Sequence, residues 1–327
     1  MKNVYNLLIV GGTGLVGREL IEILLKKGFP FSEIKISNST LEKGNIEILN
    51  RDFQVYPLNE EVFEDVDICF FCSTSEVSEK WCIYAKEKCK YVIDNSSFFR
   101  MRDNVPLIIP EINLIDINNR LISNPNCSTI QSLLVLNEIR KEYRLNKVIY
   151  STYQSCSGGG KSELEELNNS RLKISNIYDH YLCDTCISQI GSIDEEGYSQ
   201  EELKMINETK KILKLPFLEV HANCIRVPVN YCHGVFIYVE VDKEVSKNKV
   251  IDLIKGSNRL EFIEDNKIIY FQKACKSEKV LVGRVKVDKY KKNCFSLFCV
   301  ADNLYVGAAY NAYHIALNLI GEKNEKN

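Results

Sequence analysis

The sequence predicts a two-domain α/β protein, in which a doubly wound parallel sheet is followed by an α+β domain. Three observations predict this fold class. Short apolar runs alternate with helix-like runs over the first part of the 327-residue chain, as they do in parallel sheets. A glycine-rich turn joins the first apolar run to the first helical run. Longer β-rich runs begin at residue 147, and the chain has the length of two ordinary domains.

The first strand and the first helix flank a glycine turn. Residues 7–10 are a short apolar run, residues 11–17 (GGTGLVG) form the turn, and helical periodicity follows over residues 18–27. Glycines let the backbone approach a pyrophosphate, and a helix N-terminus offers N–H donors and the positive end of a dipole. Strand, glycine turn and helix therefore predict a Rossmann-type dinucleotide site, with a plain tight turn as the alternative.

The next strands are predicted at residues 34–36, 66–72 and 91–94, with a helix over residues 77–88. The second strand ends in residues 37–40 (SNST), where the ribose of a dinucleotide is expected. No acidic residue ends this strand, which argues against the usual NAD clamp, and Lys43 is the nearest cation. Hydroxyl groups and Asn38 can contact a ribose or a 2′-phosphate. The pattern therefore favours NADP and leaves NAD open.

Two residues after this sheet are candidates for chemistry. Arg100 suits bidentate contact with a phosphate, with an ordinary surface arginine as the alternative. Cys127 lies in a polar turn, residues 123–129 (SNPNCST), that opens a helical run over residues 130–139. Unpaired N–H groups and the dipole at a helix N-terminus favour a thiolate. Cys127 is therefore a candidate nucleophile, and an inert core cysteine is the alternative.

The second domain is predicted to mix strands and helices. A β-rich run at residues 147–154 ends in residues 155–161 (SCSGGGK) before an acidic helix. The glycine triplet lacks the spacing of a Walker phosphate loop, which favours a flexible strand-to-helix joint. A charged helix is predicted over residues 195–213, where Glu201 and Lys204 share a face, by default as a solvated pair.

His233 lies in a glycine-containing turn between strands predicted at residues 224–229 and 235–240. Such a histidine can be presented in a cleft or serve a structural role. The strand predicted at residues 295–301 leads through small residues into a last helix over residues 310–320. Small residues there suit close approach to a cofactor or to another helix.

Composition argues against several classes of function. The net charge is −2 and no basic stripe is present, which gives no support for nucleic-acid or membrane-surface binding. No apolar run approaches the roughly 20 residues of a membrane span, and the start of the chain has no signal-peptide pattern. We therefore expect a cytoplasmic protein.

The thirteen cysteines are scattered, and most lie within apolar runs, so we expect reduced core residues rather than a disulfide framework. Cys69 and Cys72 would point to opposite faces of a strand, which argues against metal binding. His180, Cys183 and Cys186 have better spacing for zinc but lack a fourth ligand nearby. We expect no metal, and zinc at these three residues is the alternative.

Seven motifs in order make the chain resemble the aspartate-β-semialdehyde dehydrogenase family along nearly its whole length. They are GGTGLVG at 11–17, DNSSFFR at 94–100, SNPNCST at 123–129, STYQ at 151–154, EELK at 201–204, RVPV at 226–229 with His233, and ADNL at 301–304. The resemblance implies a fold like that of glyceraldehyde-3-phosphate dehydrogenase. The dinucleotide-binding domain would span residues 1–126 and be completed by the C-terminal helix within 303–327. A catalytic and dimerisation domain would span residues 127–302, in a homodimer or a dimer of dimers.

The resemblance also implies a reaction. It is the reversible, NADP-dependent reductive dephosphorylation of L-aspartyl 4-phosphate to L-aspartate 4-semialdehyde through a thioester on Cys127. This step belongs to the biosynthesis of lysine and diaminopimelate, threonine and methionine. One alternative is an enzyme like N-acetyl-glutamyl-phosphate reductase, which gives no reason for a free-amine partner such as Glu201. The other is a catalytically silent, nucleotide-binding paralogue.

The resemblance assigns a role to each matching residue. Cys127 is the expected nucleophile and His233 the general acid/base, while Gln154 orients the thiohemiacetal intermediate. Substrate binding is expected from Arg226 (α-carboxylate), Glu201 (α-amino group), Arg100 and Lys204 (phosphate), and Asn126. Cofactor contacts are expected from Gly11, Thr13, Gly14, Leu15, Val16, Gly17, Ser37, Ser39, Thr40, Ser157, Gly158 and Asn303.

The chain departs from the family pattern at several positions. Ser39 stands where an arginine usually binds the 2′-phosphate, Thr74-Ser75 replaces a glycine pair, and Tyr305-Val306 replaces a basic pair. These departures leave the preference between NADP and NAD open. Cys232 stands where the family commonly has glycine, beside the expected base, and we expect it to be sensitive to oxidation.

Overall fold

A computed structural model of the protein describes residues 4–39, 44–113, 118–174, 177–178 and 180–321. The chain divides into two compact units. The first combines the described residues of 1–125 with those of 308–327, and the second is formed by those of 126–307. Thr40 and Lys43, which the sequence analysis singled out, lie outside the described residues.

The secondary-structure elements are as follows in chain order. The strands are β1 (Tyr5–Val10), β2 (Phe31–Asn38), β3 (Gly44–Ile48), β4 (Arg51–Pro57), β5 (Ile68–Phe71), β6 (Tyr91–Asp94), β7 (Leu121–Ser123), β8 (Leu145–Gln154), β9 (Glu219–Arg226), β10 (His233–Val241), β11 (Leu260–Ile263), β12 (Val280–Val287) and β13 (Cys294–Ala301). The α-helices are α1 (Leu15–Lys26), α2 (Ser75–Lys88), α3 (Cys127–Ile139), α4 (Lys161–Arg171), α5 (Gln200–Leu213), α6 (Lys247–Lys255) and α7 (Tyr310–Leu319).

Among the described residues of the first unit, the strands form one sheet in the order β3-β4-β2-β1-β5-β6-β7. All neighbours are parallel except the β3–β4 hairpin at the edge, which the sequence analysis did not predict. The central strands are buried on both faces, as parallel strands covered by helices are. Helix α7 packs against α1 and β6 within this unit. The predicted doubly wound sheet is confirmed.

In the second unit, the described strands form a mixed sheet in the order β11-β12-β13-β10-β8-β9. Helices α3, α5 and α6 pack on one face of this sheet. Burial alternates along β8, where Tyr150 faces the helices while Ile149 and Tyr153 are exposed on the opposite face. The predicted α+β character is confirmed, and one sheet face carries exposed apolar side chains.

The predicted start of the charged helix at residue 195 is wrong, since α5 begins at Gln200. Asp194 accepts N–H groups of Glu196 and Tyr198 and so holds a turn ahead of the helix. Ser199 then caps the helix, because its hydroxyl accepts the N–H of Glu202 while that carboxylate accepts the N–H of Ser199. Local side-chain bonds therefore fix this boundary.

All thirteen cysteines are free thiols, as predicted. Burial raises the pKa of Cys72 to about 12 and also raises that of Cys69 in the core, so both thiols remain protonated. Within the described part of the chain, no helix is both long enough and apolar enough to cross a membrane.

Candidate active site

The topology of the second sheet brings three predicted site residues to one edge. Gln154 ends β8 and Arg226 ends β9, and the two residues are partners in the parallel register. His233 begins β10, which runs antiparallel to β8, so it starts at the edge where β8 ends. All three side chains are buried. The sheet edge therefore collects an amide, a guanidinium and an imidazole.

Cys127 is the first residue of α3, where the preceding Asn126 caps the helix. The Asn126 Oδ1 atom accepts the N–H groups of Ser128 at 2.9 Å and Thr129 at 3.2 Å. The thiol is half-buried at the positive end of the helix dipole. A Cβ added to Gly307 would lie 2.7 Å from the Cβ of Cys127, so only glycine fits there. Sequence analysis missed Gly307, although the small residues around it were a signal.

Helix α3 is tied to β10 by a residue that sequence analysis also missed. The Nε2 group of Gln131 donates to the carbonyl oxygen of His233 at 3.1 Å, and both residues are buried. Gln131 lies four residues after Cys127, on the same face of the helix. This spacing was the only signal in the sequence. The bond fixes the helix that carries Cys127 against the strand that carries His233.

The hydrogen bonds of His233 define its tautomer. The backbone N–H of Ser155 donates to Nδ1 at 3.0 Å, so Nδ1 is an acceptor and the neutral ring carries its proton on Nε2. Burial and the nearby Arg226 guanidinium lower the pKa of His233 from 6.5 to about 3. Nε2 is buried and has no hydrogen-bond partner among the described residues. The ring is therefore neutral and has an available Nε2–H donor.

The Arg226 side chain contacts Ser155 and Glu163. Its Nη1 group donates to the carbonyl oxygen of Ser155 at 2.9 Å, and its Nε lies 2.7 Å from a carboxylate oxygen of Glu163 in α4. Arg226 is only 3% exposed, so this ion pair is largely shielded from water. A Cβ on Gly158 would lie 3.0 Å from Nη1 of Arg226 and 3.1 Å from Nε2 of His233. Sequence analysis missed Glu163, for which the acidic helix gave no specific signal.

The predicted amine-binding carboxylate is held beside the cap of α3. Asn126 donates through Nδ2 to Glu201 at 2.8 Å, and the ammonium of Lys204 lies 3.1 Å from the other oxygen of Glu201. Glu201 is 5% exposed, so the default interpretation of a solvated Glu201–Lys204 pair is wrong for the carboxylate. The backbone N–H of Asn126 also donates to Glu208 at 2.7 Å. The structure thus brings Asn126, Glu201 and Lys204 together, and substrate binding by these residues stays a prediction.

Asn303 braces the turn after β8. Its Oδ1 atom accepts from the hydroxyls of Ser155 and Ser157 and from the backbone N–H of Cys232. These groups are buried, so the bonds hold the turn in place. The turn contains Ser155, whose backbone N–H donates to Nδ1 of His233. Cofactor contact by Ser157, Gly158 and Asn303 stays a prediction.

The first unit carries the predicted dinucleotide turn at the carboxyl ends of β1 and β5, where the chain order of the sheet reverses. Gly11 has φ +79°, and a Cβ there would lie 2.3 Å from the carbonyl oxygen of Cys72. A Cβ on Gly17 would lie 2.4 Å from the carbonyl oxygen of Gly11. Gly14 caps α1 without a side-chain bond, so the N–H groups that begin at Leu15 stay available to a ligand. The turn therefore combines closely packed glycines with helix N–H groups, the features that a pyrophosphate site requires.

The end of β2 is more open than this turn. Ser39 is exposed, and Asn38 donates to the hydroxyl of Thr13. Ser37 is buried. Arg18, an exposed cation that sequence analysis missed, donates to the carbonyl oxygen of Thr13 at 3.2 Å. Side chains at this end therefore have room to accommodate different ribose substituents.

Arg100 is buried in the first unit and is not an ordinary surface arginine. It donates to the carbonyl oxygens of Asn124 at 2.9 Å and Asn95 at 2.8 Å. Binding of phosphate by Arg100 stays a prediction.

The structure gives no support for the alternative zinc site at His180, Cys183 and Cys186. Their ligand atoms do not form a compact group, and the Cys183 thiol lies 3.3 Å from the carbonyl oxygen of Ser170. Within the described ranges, a single group of three potential ligands was found, elsewhere in the second unit.

Two family models match the chain. Residues 6–120 match the NAD binding domain of semialdehyde dehydrogenase, and residues 136–306 match its dimerisation domain. The chain is 37% identical to aspartate-semialdehyde dehydrogenase of Campylobacter jejuni, covering 99% of this chain and 100% of the relative. It is 35% identical to the enzyme of Helicobacter pylori, with 97% and 98% covered. The crystal structure of aspartate semialdehyde dehydrogenase II from Vibrio cholerae, complexed with ASA, matches with a TM-score of 0.93 at 33% identity, covering 98% and 99%.

Proposed function

The chain belongs to the aspartate-semialdehyde dehydrogenase family, and from this premise we propose that it interconverts L-aspartyl 4-phosphate and L-aspartate 4-semialdehyde with NADP. The observation that carries the proposal is the sheet edge, where Gln154, Arg226 and His233 meet and β10 is bonded to the helix of Cys127. The enzyme is an NAD(P)-dependent oxidoreductase. It serves the synthesis of aspartate-family amino acids, and we propose that it works in the cytoplasm.

In the biosynthetic direction, Cys127 attacks the acyl carbon of aspartyl phosphate, and phosphate leaves as the thioester forms. A thiolate at a helix N-terminus suits this step, because the covalent intermediate splits one difficult reaction into two. NADPH, when bound, supplies the hydride. Gln154, fixed by a bond of 3.3 Å to the hydroxyl of Thr152, is proposed to orient the resulting thiohemiacetal.

His233 is proposed to act through its Nε2–H group. The bond from Ser155 to Nδ1 holds the ring in the tautomer that donates from Nε2. The Nε2–H group can donate a hydrogen bond that stabilises the substrate oxygen as it gains negative charge on reduction. The thiohemiacetal anion then collapses to aldehyde and thiolate, and the ring keeps its proton. Because the pKa of His233 is about 3, the ring is neutral at physiological pH and acts in this step as a hydrogen-bond donor.

The charges around Cys127 suit a zwitterionic substrate. Arg226 is proposed to bind the α-carboxylate, since a guanidinium fork matches a carboxylate. Glu201 is proposed to bind the α-ammonium group, in an orientation set by Asn126 and Lys204. Arg100 and Lys204 are each proposed to bind phosphate.

The glycine turn of the first unit is proposed to bind the pyrophosphate of NADP through Gly11, Gly14 and Gly17 and the N–H groups that open α1. Arg18 lies in the first turn of α1 and places a positive charge near Asn38, where the family's usual arginine is absent. This charge favours binding of NADP over NAD.

The exposed face of the second sheet is proposed to pair two copies of the chain. This face carries exposed Ile149 and Tyr153. An apolar cavity of about 260 Å³ lies there, lined by Tyr153, Val227, Val229, Phe271 and Phe298. The matched dimerisation domain supports a homodimer. Light scattering after gel filtration tests this assignment, and a monomer at micromolar concentration would contradict it.

The reaction is tested by following nicotinamide absorbance with aspartate semialdehyde, using NADP and NAD separately, with and without phosphate. Phosphate-dependent reduction of NADP is the expected result, because phosphate must cleave the acyl-enzyme thioester. Activity with N-acetyl-glutamate semialdehyde instead would favour the related reductase. Binding of NADP by folded protein without turnover of either aldehyde would indicate a silent paralogue.

A further inference from the structure

A pair of thiols lies in the second unit, outside the proposed catalytic set. The Sγ atoms of Cys232 and Cys275 are 3.4 Å apart. Cys232 immediately precedes His233 and is fully buried, whereas Cys275 is exposed after a 3₁₀ turn at Phe271–Ala274. The proposed reaction uses neither thiol.

The backbone holds Cys232 in a fixed position. Its φ is +71°, a left-handed conformation that a residue with a side chain adopts only at a cost. Its N–H donates to Asn303 at 2.9 Å, and its side chain packs against Ala274, Leu281 and Val300. The sulfur therefore has little freedom, and any closer approach must come from the exposed Cys275.

The two thiols differ in access to solvent. Cys275 is open to a small oxidant, whereas burial and the negative charge of Asp302 raise the pKa of Cys232. Oxidation would therefore start at Cys275 and be completed by Cys232. Cys275 would be the reactive thiol and Cys232 the resolving thiol.

We propose that Cys232 and Cys275 are a reversible modification site for hydroperoxides, at which oxidation closes a disulfide next to the catalytic histidine. The thiolate of Cys275 attacks hydrogen peroxide, the O–O bond breaks, and a sulfenic acid and one water result. The sulfur of Cys232 then attacks the sulfenic sulfur, forming the S–S bond and releasing a second water. Two thiols lose two electrons and two protons, and the peroxide is reduced to two waters. A dithiol reverses the reaction by exchange.

Closure must move the sulfurs from 3.4 Å to a bond length of about 2.05 Å. The new bond joins an exposed segment to the residue that precedes His233. Forming this bond would displace Cys232 and strain the hydrogen bond from its N–H to Asn303. Asn303 also accepts the hydroxyl of Ser155, so the displacement would reach the turn beside His233. We expect oxidation to lower kcat several-fold, an effect that rests on the proposed function.

A bound metal is a different use of the same residues, since ligand atoms of Cys232, Cys275 and Asp302 all lie within 4.8 Å of one another. The carboxylate oxygens of Asp302, however, already accept backbone N–H groups of Lys276, Leu304 and Tyr305. This commitment favours the disulfide over the metal.

The test treats the reduced full-length protein with a small excess of hydrogen peroxide, alkylates the remaining thiols, and maps the peptides by mass spectrometry. A cross-linked Cys232–Cys275 peptide that disappears after dithiothreitol is the expected result. The cross-link must form also in Cys127→Ser, so the chemistry is tested even if the proposed activity fails. Cys275→Ser must abolish it and leave the activity of untreated enzyme unchanged. Cys186→Ser, which removes another exposed thiol, is the matched control and must retain it.

Activity is compared between wild type and Cys275→Ser after the same peroxide treatment, so that any oxidation of Cys127 affects both equally. The expected result is a several-fold larger loss in wild type that dithiothreitol restores. Free alkylated Cys232 and Cys275 after peroxide would overturn the proposal. So would one equivalent of Zn²⁺ retained by the reduced protein and lost in Cys275→Ser, which would assign the residues to a metal.

Discussion

The two proposed binding regions of this protein are built from different parts of the chain. The proposed catalytic region is the sheet edge of the second unit, which consists of buried side chains held by hydrogen bonds. His233 accepts the N–H of Ser155, and Arg226 donates to the carbonyl oxygen of Ser155. The dinucleotide turn of the first unit is made of backbone, where Gly11 and Gly17 leave no room for a Cβ. Exposed side chains such as Ser39 only flank it.

This difference indicates which substitutions each region tolerates. At the sheet edge that holds Gln154, Arg226 and His233, a change of side-chain chemistry is expected to remove a function that no neighbouring residue can supply. At the dinucleotide turn, side chains around the backbone cradle can change, as Ser39 and Thr74-Ser75 do relative to the family pattern, but a single added methyl group cannot be accommodated. Substitutions in the two regions should therefore have effects of different kinds and sizes.

Cys127→Ser is expected to lower kcat by about a thousandfold or more, because a serine hydroxyl at this position has no base to activate it. The melting temperature and NADP affinity should stay near those of wild type. Stopped assays at high enzyme concentration, with circular dichroism on the same sample, provide the measurement. Residual activity within tenfold of wild type would show that Cys127 is not the nucleophile.

Gly11→Ala is expected to weaken NADPH binding by at least about tenfold, because its Cβ would lie 2.3 Å from the Cys72 carbonyl oxygen and would push the turn apart. Gly28→Ala is a matched control, since Gly28 has φ +67° but no atom within 4 Å of an added Cβ. Fluorescence titration with NADPH measures both variants. Equal losses of NADPH affinity in the two variants would show that the positive φ angle, rather than the clash with the Cys72 carbonyl oxygen, causes the effect.

Arg226→Lys is expected to raise the KM for aspartate semialdehyde by about tenfold or more while lowering kcat less. A single ammonium cannot contact the Ser155 carbonyl and present a fork to a carboxylate at the same time. Steady-state kinetics separate the two constants. An unchanged KM would argue against carboxylate binding by Arg226.

Glu163→Gln is expected to lower the KM several-fold, because the Glu163 carboxylate lies 2.7 Å from Nε of Arg226, in the place suited to a substrate carboxylate. Glu165→Gln on the same helix is the control, since Glu165 is exposed and pairs with Lys161 at 3.8 Å. A higher KM in Glu163→Gln would mean that Glu163 positions Arg226 instead of competing with the substrate.

Ser39→Arg is expected to have the smallest effect, about a fivefold gain in preference for NADP over NAD, since it adds an exposed charge beside an unaltered cradle. The ratio of kcat/KM for the two cofactors measures it, at low and at high salt. A change in the KM for aspartate semialdehyde of similar size would contradict the separation between the two regions.

The sequence predicted the fold class and the side chains of the site because both leave short-range patterns. Alternating apolar runs marked the strands, and ordered motifs marked Cys127, Gln154, Arg226 and His233. Residues that act through contacts distant in sequence were missed, as Gln131 was, whose partner His233 lies 102 positions away. The start of α5 was misplaced because Asp194 and Ser199 organise a turn and a cap that charge periodicity does not reveal.

The place of α7 in the first unit has a consequence for the order in which the protein is made. Asn311 donates to the carbonyl oxygen of Ile108, and Phe29 meets the ring of Tyr313 at 6.1 Å between ring centroids. A chain emerging from the ribosome therefore presents every residue of the second unit before the first unit has received its last helix. The nucleotide-binding unit, although its sheet is synthesised first, can complete its packing only after α7 has been made.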